Sequence, residues 1–412
     1  MPEPRLELTI NSRDGIFIRS VPQSEPLPAS DTHGHAAEEA VVSAMSIHGL
    51  QDFAFPSSTI PLGSGVRELG DGLLVTYPLA AVIQVKGRPN STQDAERETR
   101  WLIKNIEKAK RQIDGTLRAL EAGPLTRTNM RGTPIPIDAS QHEWLGVVIV
   151  EHDDIPEGFI PAPLNQRGII LTRADWEFLW AQLQSTVEVL KYIHRIGALP
   201  PVPLGQESVR YYQAALLDED AQLEPLPEAW RALGGTRVSG PLLPLAPAGQ
   251  VVEHFVIRQI VEDLAVGDIP QDLDREKLLR AFSALDGISV SQRDQMGADL
   301  LANVYAVSED SEDHRIWTRT ILSPTPGTPQ ILFMTYNRQI DDIGKALLTA
   351  RVELSHDNWL RSGVHNSSNL TVGVLLTPSS HPQRPWDVTM AVLDTLDMLS
   401  DEERAEREIR LS

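Results

Sequence analysis

Cysteine is absent from the 412 residues, so neither a disulfide nor a thiolate metal site can form in this chain. Basic residues are scarce as well: 37 Lys and Arg stand against 57 Asp and Glu, a formal charge of −20. Nucleic-acid backbones are held by Lys and Arg that neutralise phosphates, so a surface binding long nucleic acid by bulk attraction is excluded and any such site must be local. Long apolar runs are also missing. No stretch approaches the roughly 18 consecutive apolar residues that cross a bilayer, and the opening MPEPRLELTINSRDG lacks the apolar core of a secretion signal. The expected setting is the cytoplasm, without a membrane partner. No GxSxG elbow is present, and the glycines of GSGVRELG lack the helix that a phosphate-binding loop requires after it.

What remains is an ordinary globular composition, 41% hydrophobic and 23% charged, on a chain long enough for two domains. After two opening strands, LELTI and GIFIRS, the segment VPQSEPLPASDTHGH has no apolar period and reads as a loose connection. AAEEAVVSAMSIHGL then spaces Ala37, Val41, Ala44 and Met45 as a helix stopped by Gly49. Three strand candidates follow, DFAFPSSTI, ELGDGLLVTY and LAAVIQVKG, the last two joined as a hairpin at Tyr77 and Pro78. A long helix over about 92–122 carries Trp101, Ile103, Ile106, Ile113, Leu117 and Leu120. Two more strands, EWLGVVIVEH and RGIILT, precede a second long helix over about 173–196 with one apolar stripe: Trp176, Leu179, Trp180, Leu183, Val187 and Leu190.

This order is an α/β layer pattern. A Pro- and Gly-rich stretch over 217–250 interrupts periodicity and divides a first domain, 1–216, from an accessory domain, 251–412, of smaller α/β or α+β type. In the second half, helices near 252–265, 275–285 and 292–305 precede the strands IWTRTIL, QILFMTY and LTVGVLL, with a helix over about 342–354 before the last.

The chemistry concentrates at IQVKGR. Residues two apart on a strand share a face, so Gln84 and Lys86 point the same way. Asp71 opens the preceding strand of the hairpin and can meet them. Its carboxylate, the Gln84 amide oxygen and the Val85 carbonyl form an all-oxygen half-shell suited to Mg²⁺, with Mn²⁺ as substitute, and Lys86 would stand beside it to orient a water and stabilise charge on phosphorus.

An Asp, about a dozen residues, then Gln-x-Lys on the next strand resembles the PD-(D/E)XK, restriction-endonuclease-like superfamily in its Mrr-type variant. The resemblance covers about 34–172 and implies a mixed central sheet flanked by helices, with Asp71, Gln84 and Lys86 catalytic, and Asp71, Gln84 and Val85 as metal ligands. It also implies an acid on the helix before the hairpin, carried here to Glu38 because Val41 and Met45 share its face, with Glu39 as fallback. A glutamine where the family usually has an acid removes one negative charge from the metal shell. A long basic helix after the lysine strand completes the pattern.

From Lys86 to Arg118 nine Lys and Arg face five Asp and Glu, a local reversal of sign in an acidic chain. Arg88, Arg97, Arg100 and Lys104 are the candidate phosphate contacts, although pairs such as Glu96 with Arg100 also fit a solvated helix face. His33 and His35 lack a third metal ligand, and Glu151 to Asp154 reads as a strand-end turn. The resemblance implies metal-dependent hydrolysis of nucleic acid, DNA in particular, in defence against foreign DNA, with the C-terminal half choosing the target or serving a partner protein or self-association. The competing expectation is a catalytically inactive scaffold of the same fold.

Overall fold

A computed structural model describes residues 5–12, 15–57, 59–62, 65–68, 70–220, 243, 252–267, 274–308, 316–321, 329–362, 369–379 and 386–411. They form two compact units, the first running through residue 220 and including Leu243, the second beginning at residue 252. The described part of the stretch 217–250 is the end of a helix, Glu207–Asp220, together with Leu243, which is buried in the first unit's core. The architecture is mixed α/β, and among the described residues no helix is long and apolar enough to cross a membrane.

The first unit is built on a five-stranded mixed sheet. After the antiparallel pair β1 (Leu6–Ser12) and β2 (Gly15–Val21) comes helix α1 (His33–His48), capped by Thr32, whose side chain accepts from the His35 N–H. The strands β3 (Ala54–Pro56), β6 (Gly72–Val75) and β7 (Leu79–Gly87) run antiparallel in series; β4 (Thr59–Leu62) and β5 (Gly65–Glu68) pair with each other between them. Helix α2 (Ala95–Glu121) and the small hairpin β8 (Leu125–Thr128) with β9 (Pro134–Ile137) lead to β10 (Glu143–Glu151), which lies parallel to β7, and β11 (Gly168–Thr172) lies parallel to β10. The order across the sheet is β11-β10-β7-β6-β3.

The central strand β7 reads as a continuous apolar run because both of its faces are covered. Leu79, Ala81, Ile83 and Val85 share one core with Ala37 and Val41 of α1 and with α3 (Arg173–Leu183) and α4 (Thr186–Ile196). The even-numbered residues, ending in Gln84 and Lys86, take the opposite face, and α2 also packs on β7. At the far edge, the tip of the β8–β9 hairpin closes β3, the Met130 N–H donating to the Ala54 carbonyl at 2.8 Å, so the edge strand is not left open.

Two expectations from periodicity need correction. The stripe of α2 is Leu102, Ile106, Ala109, Ile113 and Leu120, while Ile103 is 52% exposed, because the buried face follows i, i+4 and i+7 steps that skip it. The long helix over 173–196 is two helices. Gln184 turns left-handed at φ 44°, and the Ser185 side chain accepts from the Glu188 N–H, starting α4 with a Ser-x-x-Glu cap. The apolar stripe survives the break: Trp176 and Trp180 meet edge to face at 5.5 Å, and Trp176 Nε1 donates to the Val41 carbonyl at 3.2 Å, fixing α3 on α1. Removing a ring buried this fully costs about 3–5 kcal/mol.

The second unit has helices α6 (Val252–Val266), α7 (Arg275–Asp286) and α8 (Val290–Ser308) before a four-stranded sheet of order β12-β13-β14-β15. Its strands are β12 (Ile316–Ile321), β13 (Gln330–Tyr336), β14 (Leu370–Pro378) and β15 (Trp386–Asp394), with α9 (Asp342–Arg361) crossing between the parallel pair β13 and β14. A final helix, α10 (Asp401–Leu411), is tied to α9 by the buried Asp357, which accepts from Arg361, Arg404 and the Leu399 N–H at 2.7, 2.6 and 3.0 Å. Strand β15 and helices α5 (Glu207–Asp220) and α10 are elements beyond those expected from the sequence.

Candidate functional site at the end of the β6–β7 hairpin

Gly70, at φ 69°, makes the turn that delivers Asp71 to the open end of the hairpin. The Asp71 N–H donates to the Ile83 carbonyl at 3.0 Å, and its Oδ2 accepts from the Val85 N–H at 2.6 Å, so the carboxylate continues the strand ladder where β6 runs out. On the same end of β7, Lys86 Nζ donates to Gln84 Oε1 at 3.0 Å and to the Val85 carbonyl at 2.8 Å, and it lies 3.5 Å from Asp71 Oδ2. Asp71, Gln84, Val85 and Lys86 therefore meet at one point. Gln84 is 1% exposed and the Lys86 side chain 12%. Burial pulls the Lys86 ammonium below the usual lysine value, Asp71 and more weakly Glu38 raise it, and Lys108 lowers it further.

Glu38 stands at the margin of this group. It is half-buried on α1, 3.5 Å from His35 Nδ1, and acts on Lys86 through its field. Arg88 turns away from it. Its guanidinium is ion-paired with the buried Glu98 and lies over the Trp101 ring, 5.3 Å from the centroid. Arg97, Arg100 and Lys104 are exposed along the first turns of α2, Arg100 being 3.6 Å from Glu96. Lys108, one turn further on, is the member of this basic face whose charge reaches Lys86.

Beside the hairpin end lies a second cluster that the strand pattern did not reveal. Glu98 accepts from Arg88 Nη2 at 2.7 Å, Thr92 N–H at 3.0 Å, Thr92 Oγ1 at 2.7 Å and His152 Nε2 at 2.8 Å. The Asp154 N–H donates to His152 Nδ1 at 3.1 Å, which places the ring proton on Nε2. These bonds, led by Arg88, hold the Glu98 carboxyl down at about 2. They pin the turn after β7 to the turn after β10. The signal for Glu98 was its register: it lies one turn before Leu102 and two before Ile106 on the buried face of α2.

His33 is a further neighbour. A side chain at Gly87 would come within 3.0 Å of its Cδ2, and its Nε2 is shielded from solvent with no hydrogen-bond partner. Glu151 is taken by Arg173 at 2.6 Å. In the second unit, the buried His356 is held between Thr371 Oγ1 at 2.8 Å and the Thr395 carbonyl at 3.0 Å; His365 lies outside the described residues.

The donor chemistry at the hairpin end fits an oxygen-seeking cation, since a carboxylate, an amide oxygen and a backbone carbonyl converge there, with Asp71 as the one carboxylate among them. Among the described residues no group of three His, Asp or Glu side chains is gathered as a metal cluster. No family model, no curated protein and no solved structure matches the chain.

Proposed function

We propose that the first unit is a restriction-endonuclease-like phosphodiesterase acting on nucleic acid, DNA foremost, from a site formed by Asp71, Gln84, Val85 and Lys86. The observation that carries this reading is the meeting of those groups at the end of one hairpin, within 3.5 Å of the Lys86 ammonium. The sequence of elements supports it: a helix bearing Glu38, an antiparallel hairpin, then a long helix with an exposed basic face and a strand parallel to β7.

Mg²⁺ or Mn²⁺ bound at Asp71, Gln84 and the Val85 carbonyl would supply Lewis-acid stabilisation of the phosphate. The protein's own groups do the rest. Asp71 and the Val85 carbonyl are fixed by the strand ladder, so their oxygens need no reorganisation when charge develops. Lys86, drawn below the usual lysine value by burial, orients a water and meets the negative charge that grows on the phosphoryl oxygens. Arg97, Arg100, Lys104 and Lys108 give the backbone of the substrate a local positive track in a chain of net charge −20.

Incubating the full chain with plasmid, linear duplex, single-stranded DNA and RNA in Mg²⁺ or Mn²⁺ tests the reading. Cleavage that disappears in Asp71→Ala and Lys86→Ala, with nucleic-acid affinity nearly retained, is the expected result. Absence of cleavage by the wild type on all four substrates would overturn it. A non-catalytic scaffold is the reading then left, and one observation favours it: the Asp71 carboxylate is already engaged by the Val85 N–H.

A further inference from the structure

The oxygens that would face a metal ion already face a cation. Lys86 Nζ sits 2.8 Å from the Val85 carbonyl, 3.0 Å from Gln84 Oε1 and 3.5 Å from Asp71 Oδ2, and these are the three groups assigned above as metal ligands. An ammonium and a divalent ion cannot share one shell: both need the same lone pairs, and their like charges repel at that range. Gln84 is buried and brings no charge, so among the described residues Asp71 supplies the formal negative charge in contact with Nζ.

We propose that Lys86 acts as a stand-in cation that closes the shell, and that a divalent ion and the Lys86 ammonium compete for it. The inference rests on the phosphodiesterase reading of the site. Loading the metal requires Nζ to leave, and a displaced ammonium needs another anion. The phosphate of a bound substrate is such a group, at the position where the lysine acts in the reaction. Metal and phosphodiester therefore bind cooperatively, each raising the affinity for the other by the same factor, and the free protein holds metal weakly. The regulation lies in a side chain with four rotatable carbons, with no movement of the backbone asked for. It also gives the neutral Gln84 a purpose. With a carboxylate in its place the added negative charge would favour a divalent ion over the singly charged ammonium, and loading would depend less on substrate.

The test is calorimetric titration of Mn²⁺ and of Mg²⁺ into the full chain and into Lys86→Met, which keeps most of the stem and removes the charge. Circular dichroism checks that the variant is folded, and Lys86→Gln serves as the second variant if it is not. The competition predicts at least tenfold tighter metal binding in the uncharged variant than in the wild type. It also predicts that a short duplex of DNA carrying non-hydrolysable phosphorothioate linkages tightens Mn²⁺ binding to the wild type but not to Lys86→Met. Equal or weaker metal binding by the folded variant overturns the proposal. Cleavage by the wild type is scored separately. A wild type that cuts while Lys86→Met gains no affinity sinks the competition alone, and a wild type that cuts nothing while Lys86→Met gains affinity sinks the phosphodiesterase reading alone.

Discussion

Asp71 and Glu98 both stand beside the end of β7, and their surroundings differ in one respect that decides what each can do. Glu98 receives four hydrogen bonds from Arg88, Thr92 and His152, so every strong acceptor position on it is used. Asp71 receives one backbone N–H and a longer contact from Lys86, and its neighbours Gln84 and Val85 offer further oxygens in the same direction. The first arrangement has donors matched to acceptors and holds two turns together. In the second, oxygens outnumber the donors that meet them, and a single ammonium serves three of them. Saturated networks make structure; an oxygen-rich group around one mobile cation can exchange that cation for another.

The sharpest way to break the comparison is Glu98→Ala. It strands the buried Arg88 guanidinium and the His152 N–H, so the urea midpoint should fall further than for any other substitution at this strand end. Asp71→Ala, by contrast, should cost less stability, since Lys86 keeps the Gln84 and Val85 oxygens, and should remove the proposed cleavage. If Asp71→Ala proves the more destabilising of the two, the assignment of structural and functional roles is reversed.

The same cluster predicts an acid-sensitive term. Glu98 titrates at about 2 in the folded chain, below the ordinary carboxylate value, so its contribution to stability is complete above the unfolded value near 4.5 and is lost as pH falls toward 2. Glu98→Gln should flatten the decline of the unfolding midpoint across that window. An unchanged slope would mean that other carboxylates carry the acid limb.

A smaller effect, of opposite sign, is expected at Arg127 on β8. It is 8% exposed, its Nε has no partner, and burial alone lowers its value. Among the described residues no carboxylate pairs with it, and a buried cation without an anion is destabilising, so Arg127→Met should raise stability by about 1 kcal/mol in a denaturant titration. A loss of stability would show that its aliphatic stem carries more packing than its charge costs. The smallest change belongs to the exposed pair Arg100 and Glu96, 3.6 Å apart on α2: Arg100→Ala should alter stability by no more than about 0.5 kcal/mol while weakening the proposed nucleic-acid binding and its dependence on salt.

What the sequence determined by itself follows from local rules. Strand alternation put Gln84 and Lys86 on one face, and helical spacing named the residues that α1, α3 and α4 bury, because side-chain direction repeats with the backbone and needs no distant partner. The Ser185 to Glu188 cap was equally local and equally readable, though the continuous stripe across it concealed the break. Tertiary structure alone decided which charges are spent. Arg88 and Lys86 are two residues apart on the same strand end, yet one is consumed by Glu98, ten residues on, and the other fills an oxygen shell built partly by Asp71, fifteen residues back. Pairing of charges depends on which elements meet in space and on how deeply they are buried, and neither quantity is carried by the period of a single segment.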